Sequence, residues 1–182
     1  MIVTIHQPQY LPWLGYFDKA NNADVFILLD DVQFKKNDWQ NRNRIRTSQG
    51  WQWLTVPVLH NHGQSILEVK INNATNWTKA HFNALQMNYS KTPYFSKHID
   101  FFEDVYNREW NLLVDINMCL IEQIIKWLGI TTRVVRSSEY DIEGVSTERL
   151  INLCKKCKAT TYLAGADGKS YMDISQFEQN NI

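Results

Sequence analysis

The chain has 182 residues, enough for one full-sized domain with its own core. Lys+Arg and Asp+Glu both number 19, so the formal charge is zero. That balance argues against a general binder of phosphate backbones, whose footprint is a basic excess.

Mean hydropathy is −0.40, and no apolar run approaches the roughly 20 residues of a membrane span. No basic region precedes the apolar start and no cleavage site follows it, so the expected location is cytoplasmic. Cys119, Cys154 and Cys157 are too few for a secreted disulfide framework. Cys154-Lys-Lys-Cys157 has metal-knuckle spacing, but it falls in a helical pattern with no second pair to complete about four zinc ligands.

In chain order, residues 2–6 read as a buried strand. Pro8 and Pro12 then hold off regular helix until about residue 12, and "PWLGYFDKANNA" forms a helix of roughly three turns. Val25 to Leu29 is continuously apolar, the mark of a strand covered on both faces, and ends in Asp30 and Asp31. Strand, helix and strand within about 30 residues make a βαβ unit.

Residues 35–52 are polar and rich in Asn, Arg and Trp, and read as a functional loop. Strands are expected over "WLTVPV" and "ILEVKI", and helices over 77–88 and 94–109. The clearest helix is 111–129, with Leu112, Leu113, Ile116, Leu120, Ile124 and Leu128 on one stripe and Gly129 as its stop. "TTRVVRSS" is a strand, Ser146 is positioned to cap "TERLINLCKKCKA", and "TTYLAG" is a last short strand.

The expected fold is α/β: a Rossmann-like, mostly parallel sheet with flanking helices and a helical insertion in the middle, about residues 77–128. One α/β domain spans 1–182.

Several motifs recur in a known order. "IHQPQYLPWLGYFDK", "DVFILLDDVQF", "WQNRNRI" and "LTVPV", followed by "YSKTPYF" and "YLAGADGKSYMD", closely resemble the WbqC-like protein family. The resemblance implies a place in bacterial surface-polysaccharide (O-antigen) biosynthesis, beside sugar-nucleotide enzymes, and no particular reaction. Members of the family usually continue further, so the resemblance implies a short version or a fragment as the expectation for this chain.

A remoter resemblance is to the HIGH-type nucleotidyltransferases, whose His-x-Gly-His would fall on Trp13 to Tyr16. Gly15 matches, but Trp13 and Tyr16 replace both histidines. Those histidines stabilise developing phosphate charge, which these side chains do not, so the fold could be shared without the chemistry.

The candidate site follows from the strand ends. His6 ends the first strand and is the acid/base candidate, with Gln7, Tyr10 and the Pro8 turn beside it. Tyr10 and Trp13 would form a stacking wall, and Gly15 would admit a ligand or a close helix contact. Asp30 is the second catalytic candidate, as a hydroxyl or metal partner, and Gln33 is an amide reader.

Arg42 and Arg44 lie two apart, so in an extended segment both guanidiniums point one way, as bidentate anion recognition needs. Trp39 and Asn43 belong to the same cluster. Lys91 sits between aromatics. Gly165, Asp167 and Gly168 form a tight loop able to turn amide groups toward an anion.

No paired-His metal spacing and no Gly-x-Ser-x-Gly elbow occurs, so no metal or cofactor is assigned. The expected partner is an anionic small molecule such as a nucleotide-sugar, and the expected activity is that of a transferase. The alternative is a non-catalytic binding or scaffold protein for a sugar-nucleotide enzyme. Binding of single-stranded nucleic acid fits the seven tryptophans but not the charge balance.

Overall fold

Parallel strands need a crossover between them, and this chain supplies helices for that purpose. The computed structural model describes residues 1–166, 168–170 and 172–182. In chain order the elements are β1 (Ile2–His6), α1 (Leu14–Asn21), β2 (Val25–Leu28), β3 (Arg42–Thr47), β4 (Gly50–Thr55), β5 (Val58–Leu59) and β6 (Lys70–Ile71). There follow α2 (Trp77–Tyr89), α3 (Phe95–Asn107), α4 (Leu113–Trp127), β7 (Arg133–Arg136), α5 (Ser146–Lys156), β8 (Thr161–Tyr162) and α6 (Ile174–Gln179).

The chain folds as two compact units. The first comprises Met1–Pro8, Pro12–Val32 and Ile121–Ile182; the second comprises Gln9–Leu11 and Gln33–Leu120.

The first unit holds a four-stranded sheet in the order β7-β2-β1-β8, parallel throughout. The expected Rossmann-like α/β class is therefore present, with no antiparallel strand in this sheet. All four residues of β2 are buried, as its unbroken apolar run requires. Alternation sends Val25 and Ile27 to one face, where they pack with Val3, Ile5, Val135, Leu153 and Cys154. Phe26 points to the other face, where its ring meets Tyr16 of α1 at 5.2 Å. Thus α5 and α1 cover opposite faces.

Connections from β1 through β2 to β7 step one way along the sheet, and β8 returns to the far side of β1. The reversal between β1 and β8 is a topological switch point, where an open α/β sheet leaves a crevice at its carboxyl edge.

The second unit contains two antiparallel pairs, β3–β4 and β5–β6, and the helices α2 and α3. Its interior includes Tyr10, Leu54, Val56, Ile66, Val69, Val105, Tyr106 and Leu113.

Three local expectations change. The segment read as a loop over 35–52 contains most of a hairpin, with β3 and β4 joined by Ser48-Gln49. Its inward positions are Asn43, Ile45 and Leu54, so the buried face holds only two apolar residues and the strand signal is weak. "ILEVKI" begins with a 3₁₀ turn, because Ser65 and Glu68 close a capping box before β6. Ser146 does not cap α5: it is the first helical residue, with φ of 50°, and Val145 holds the cap position without a side-chain bond.

Among the described residues, no helix is long and apolar enough to cross a membrane.

Candidate functional site

The carboxyl ends of β1, β2 and β8 open on a cavity of about 390 Å³, lined entirely from the first unit. β1 and its end contribute Ile5, His6 and Gln7. Leu29 and Val32 follow β2, and α1 adds Lys19. The start of α5 presents Ser146, Thr147, Arg149 and Leu150, and Tyr162 and Gly165 close the β8 side.

Lys19 is altered by its place in this wall. The inward residues of α1 are Tyr16, Phe17 and Ala20, and Lys19 beside them is drawn over the edge of the sheet. Its Nζ donates to the Ile5 carbonyl at 3.0 Å. Burial pushes the amine down to about 8, so near neutrality it is protonated yet gives up its proton readily. An amine in that range can serve both as an anion's partner and in proton transfer.

His6 packs its ring against Tyr16, with centroids 4.8 Å apart in an edge-on arrangement. Its Nδ1 lies 3.3 Å from the Gln7 carbonyl. A proton on Nδ1 for that bond leaves Nε2 as the basic nitrogen of the ring.

Arg149 reaches back from α5. Its guanidinium donates to the Ile142 carbonyl at 2.5 Å and pairs with Asp31. Among the described residues its buried Nε has no hydrogen-bond partner. A buried donor left unsatisfied costs free energy until something accepts from it. The first turn of α5 brings the positive end of a helix dipole to the same wall.

Asp30 and Asp31 follow the end of β2 and take different partners. Asp30 is fully buried and belongs to the framework. Its carboxylate accepts from Arg136 Nε at 2.5 Å, Ser138 Oγ at 2.9 Å, Ser138 N at 3.0 Å and Ser137 Oγ at 3.1 Å. Both oxygens are occupied in joining the end of β2 to the segment after β7. Asp31, half-buried, holds Arg149 and accepts from Ser137 Oγ at 2.7 Å.

Gly165 lines the cavity, and a Cβ there would meet nothing within 4 Å. Gly168 is a packing glycine, since its Cβ would lie 2.8 Å from Ala164 Cβ and Met172 Cε. Asp167 lies outside the described residues.

Gly15 accommodates an indole of this chain: a Cβ would fall 2.1 Å from ring atoms of Trp13, which folds back over it. Trp13 itself is 65% exposed.

Tyr10, expected as part of a stacking wall, is fully buried in the second unit. Its hydroxyl lies 2.8 Å from His81 Nδ1 and 2.5 Å from Tyr106 Oη. Burial pushes His81 down to about 4 and both tyrosines well up, so the network is neutral at physiological pH.

The hairpin of the second unit carries the arginines. Arg42 and Arg44 do share one face, as their spacing implied. The Arg42 guanidinium lies 4.3 Å from the Trp53 ring centre, and that of Arg44 lies 4.9 Å from Trp51 and 5.6 Å from Trp39. Asn43 points inward instead, donating to the Leu11 carbonyl at 2.5 Å. Gln33 is exposed and bridges to Ser65, and Lys91 is exposed beyond α2.

Of the expected residues, the structure gathers His6, Gln7 and Gly165 in one cavity and Trp39, Arg42 and Arg44 on one hairpin. It adds Lys19, Thr147, Arg149 and Tyr162, which were not singled out from the sequence. Lys19 had one visible signal: it is the single lysine in an otherwise largely apolar helix after the first strand. Among the described residues, no group of three or more His, Cys, Asp or Glu side chains could hold a metal ion.

No solved structure matches the chain. An uncharacterized protein of Mycobacterium tuberculosis (strain ATCC 25618 / H37Rv), Rv1507c, is 43% identical over 183 residues, covering 99% of this chain and 79% of that protein. The model of the WbqC-like protein family matches residues 7–182, nearly the whole length, and the chain belongs to that family.

Proposed function

We propose that the chain is a cytoplasmic enzyme of bacterial surface-polysaccharide biosynthesis, a transferase whose cavity takes a nucleotide-bearing or otherwise anionic small molecule. The family resemblance supplies the pathway. One observation carries the chemistry: at the switch point of the parallel sheet, Lys19, His6 and Arg149 line a single cavity.

In this reading, Arg149 Nε and the amino end of α5 hold the anion, in the manner of anion sites at helix starts. His6 Nε2 takes a proton from the attacking hydroxyl or amine of the acceptor. The Lys19 ammonium neutralises charge as it develops on the leaving group, where a low-dielectric wall makes it most effective. Gln7 orients the ligand, and Gly165 leaves room for it.

The test is calorimetry and thermal shift with UDP-, dTDP- and GDP-sugars and acyl-CoA. A ligand of this set is expected to stabilise the protein, and Lys19→Met or Arg149→Gln to weaken its binding about tenfold. His6→Gln should retain binding and lower turnover by roughly 10²- to 10⁴-fold. If none of these ligands binds, or binding ignores both cavity variants, the reading fails. Binding without turnover would replace it with the scaffold alternative.

A further inference from the structure

The cavity uses nothing from the β3–β4 hairpin, and that hairpin carries an unusual surface. Strand alternation places Arg42, Arg44 and Arg46 on one face of β3. Opposite them in register stand Thr55, Trp53 and Trp51 of β4. The other face is turned inward by Asn43, Ile45 and Leu54. The outward face is therefore a row of guanidiniums beside indoles.

Two features separate it from an ordinary solvated strand. From Trp39 to Leu67 the chain contains no Asp or Glu. Among the described residues, the recorded ion pairs include none made by Arg42, Arg44 or Arg46. No carboxylate of the described residues pairs with this charge there; Arg44 is held against rings, and Arg42 against the Trp53 ring with one Nη donating to the Asn37 carbonyl. Secondly, Trp51 is 56% exposed and Trp53 37% exposed, with Trp39 5.5 Å from Trp53. Clustered exposed indoles rimmed by charge mark an interaction surface rather than scattered apolar residues.

The geometry points to a second binding site on this face, for a hexuronate unit of an acidic carbohydrate chain. A guanidinium stacked on an indole keeps its in-plane N–H edge, which matches a planar carboxylate with two parallel hydrogen bonds. Trp51 lies directly opposite Arg46 in register and 4.9 Å from the Arg44 guanidinium. A pyranose ring laid on Trp51 therefore carries its ring carboxylate into reach of a neighbouring arginine. In a hexuronate the carboxylate is bonded directly to the ring, and indole and guanidinium are adjacent here.

Single-stranded nucleic acid fits less well. It needs successive open ring faces and a basic excess. Here Trp53 is approached by two guanidiniums and the chain has no net charge.

Calorimetry on the full chain with trigalacturonate, its methyl ester, galactose 1-phosphate and oligo-dT tests the assignment, with folding of each variant checked by its amide NMR spectrum. Trigalacturonate should bind, and the ester, which lacks the charge, about tenfold or more weakly. Trp51→Ala and Arg46→Gln should each weaken trigalacturonate several-fold while the Trp51 indole N–H resonance shifts on titration of the wild type. Lys19→Met, in the cavity, should leave this binding unchanged. No binding, equal affinity for acid and ester, indifference to both hairpin variants, or preference for the sugar phosphate or oligo-dT overturns the proposal. Loss of trigalacturonate binding in Lys19→Met would place the ligand in the cavity and overturn it as well.

Discussion

Two pairs of arginines, one pair in each unit, are held in opposite ways. In the first, Arg136 and Arg149 sit on Asp30 and Asp31, and their charges are spent on joining the ends of β2 and β7 to α5. In the second, Arg42 and Arg44 rest on tryptophan rings and make none of the ion pairs found among the described residues. An arginine neutralised by a buried acid is part of the frame. One stacked on an indole is positioned but keeps its charge for something else. Arg149 shows a middle case, because its Nη atoms are committed while its Nε is not.

The sharpest way to break this contrast is Asp30→Ala. Removing a fully buried carboxylate that accepts from Arg136, Ser137 and Ser138 should cost about 3–5 kcal/mol in a urea titration. Stability near wild type, with only ligand handling lost, would return Asp30 to the catalytic role expected from the sequence.

Next in size is the pH response of the second unit's neutral interior. His81 resists protonation down to about pH 4 in the folded state, against an ordinary value of 6.5. Between those values the unfolded chain binds more protons, so stability falls as pH drops through that window, by about 3 kcal/mol in all. Denaturation at stepped pH should show it, and His81→Gln should flatten the curve.

Lys19→Met sharpens the picture on the cavity side. With the folded amine at about 8 and the free value at 10.5, the unfolded chain holds the proton longer. Wild-type stability should therefore rise with pH across that interval, and the variant should lose this rise without being destabilised at neutral pH. A wild-type curve that is flat there would mean the amine is better hydrated than its contact with Ile5 suggests.

The smallest expected effect is on the hairpin. Arg44→Gln forfeits a cation–π contact at an exposed position, so stability should change by no more than about 1 kcal/mol. A larger loss would show that this arginine, like Arg136, is structural.

Much of the frame was legible before any coordinates. The unbroken apolar run of β2, the helix at 113–127 and the strand-helix alternation at both ends of the chain are set by burial on two faces or on one stripe. Of the β3–β4 hairpin only the end of β4 was, within "WLTVPV", because the inward face has only Ile45 and Leu54 as apolar signal, and Arg and Asn alternate as readily in loops. Local chemistry could still have announced the 3₁₀ turn, through the Ser65 to Glu68 box.

The candidate site was legible in part for the same kind of reason. His6 and Gln7 could be placed because a strand end faces a crevice in any open parallel sheet. Tyr10, Gly15, Asp30 and Asn43 looked equally functional, yet they serve His81, Trp13, Arg136 and Leu11. What the amino-acid order determined by itself was the class of fold and the family, since both rest on periodicity and motifs that neighbours along the chain define. Which polar residues are consumed internally, and that Lys19 and Arg149 meet in one cavity, was decided only by tertiary packing, because residues 130 positions apart share a wall through the sheet and not through the sequence.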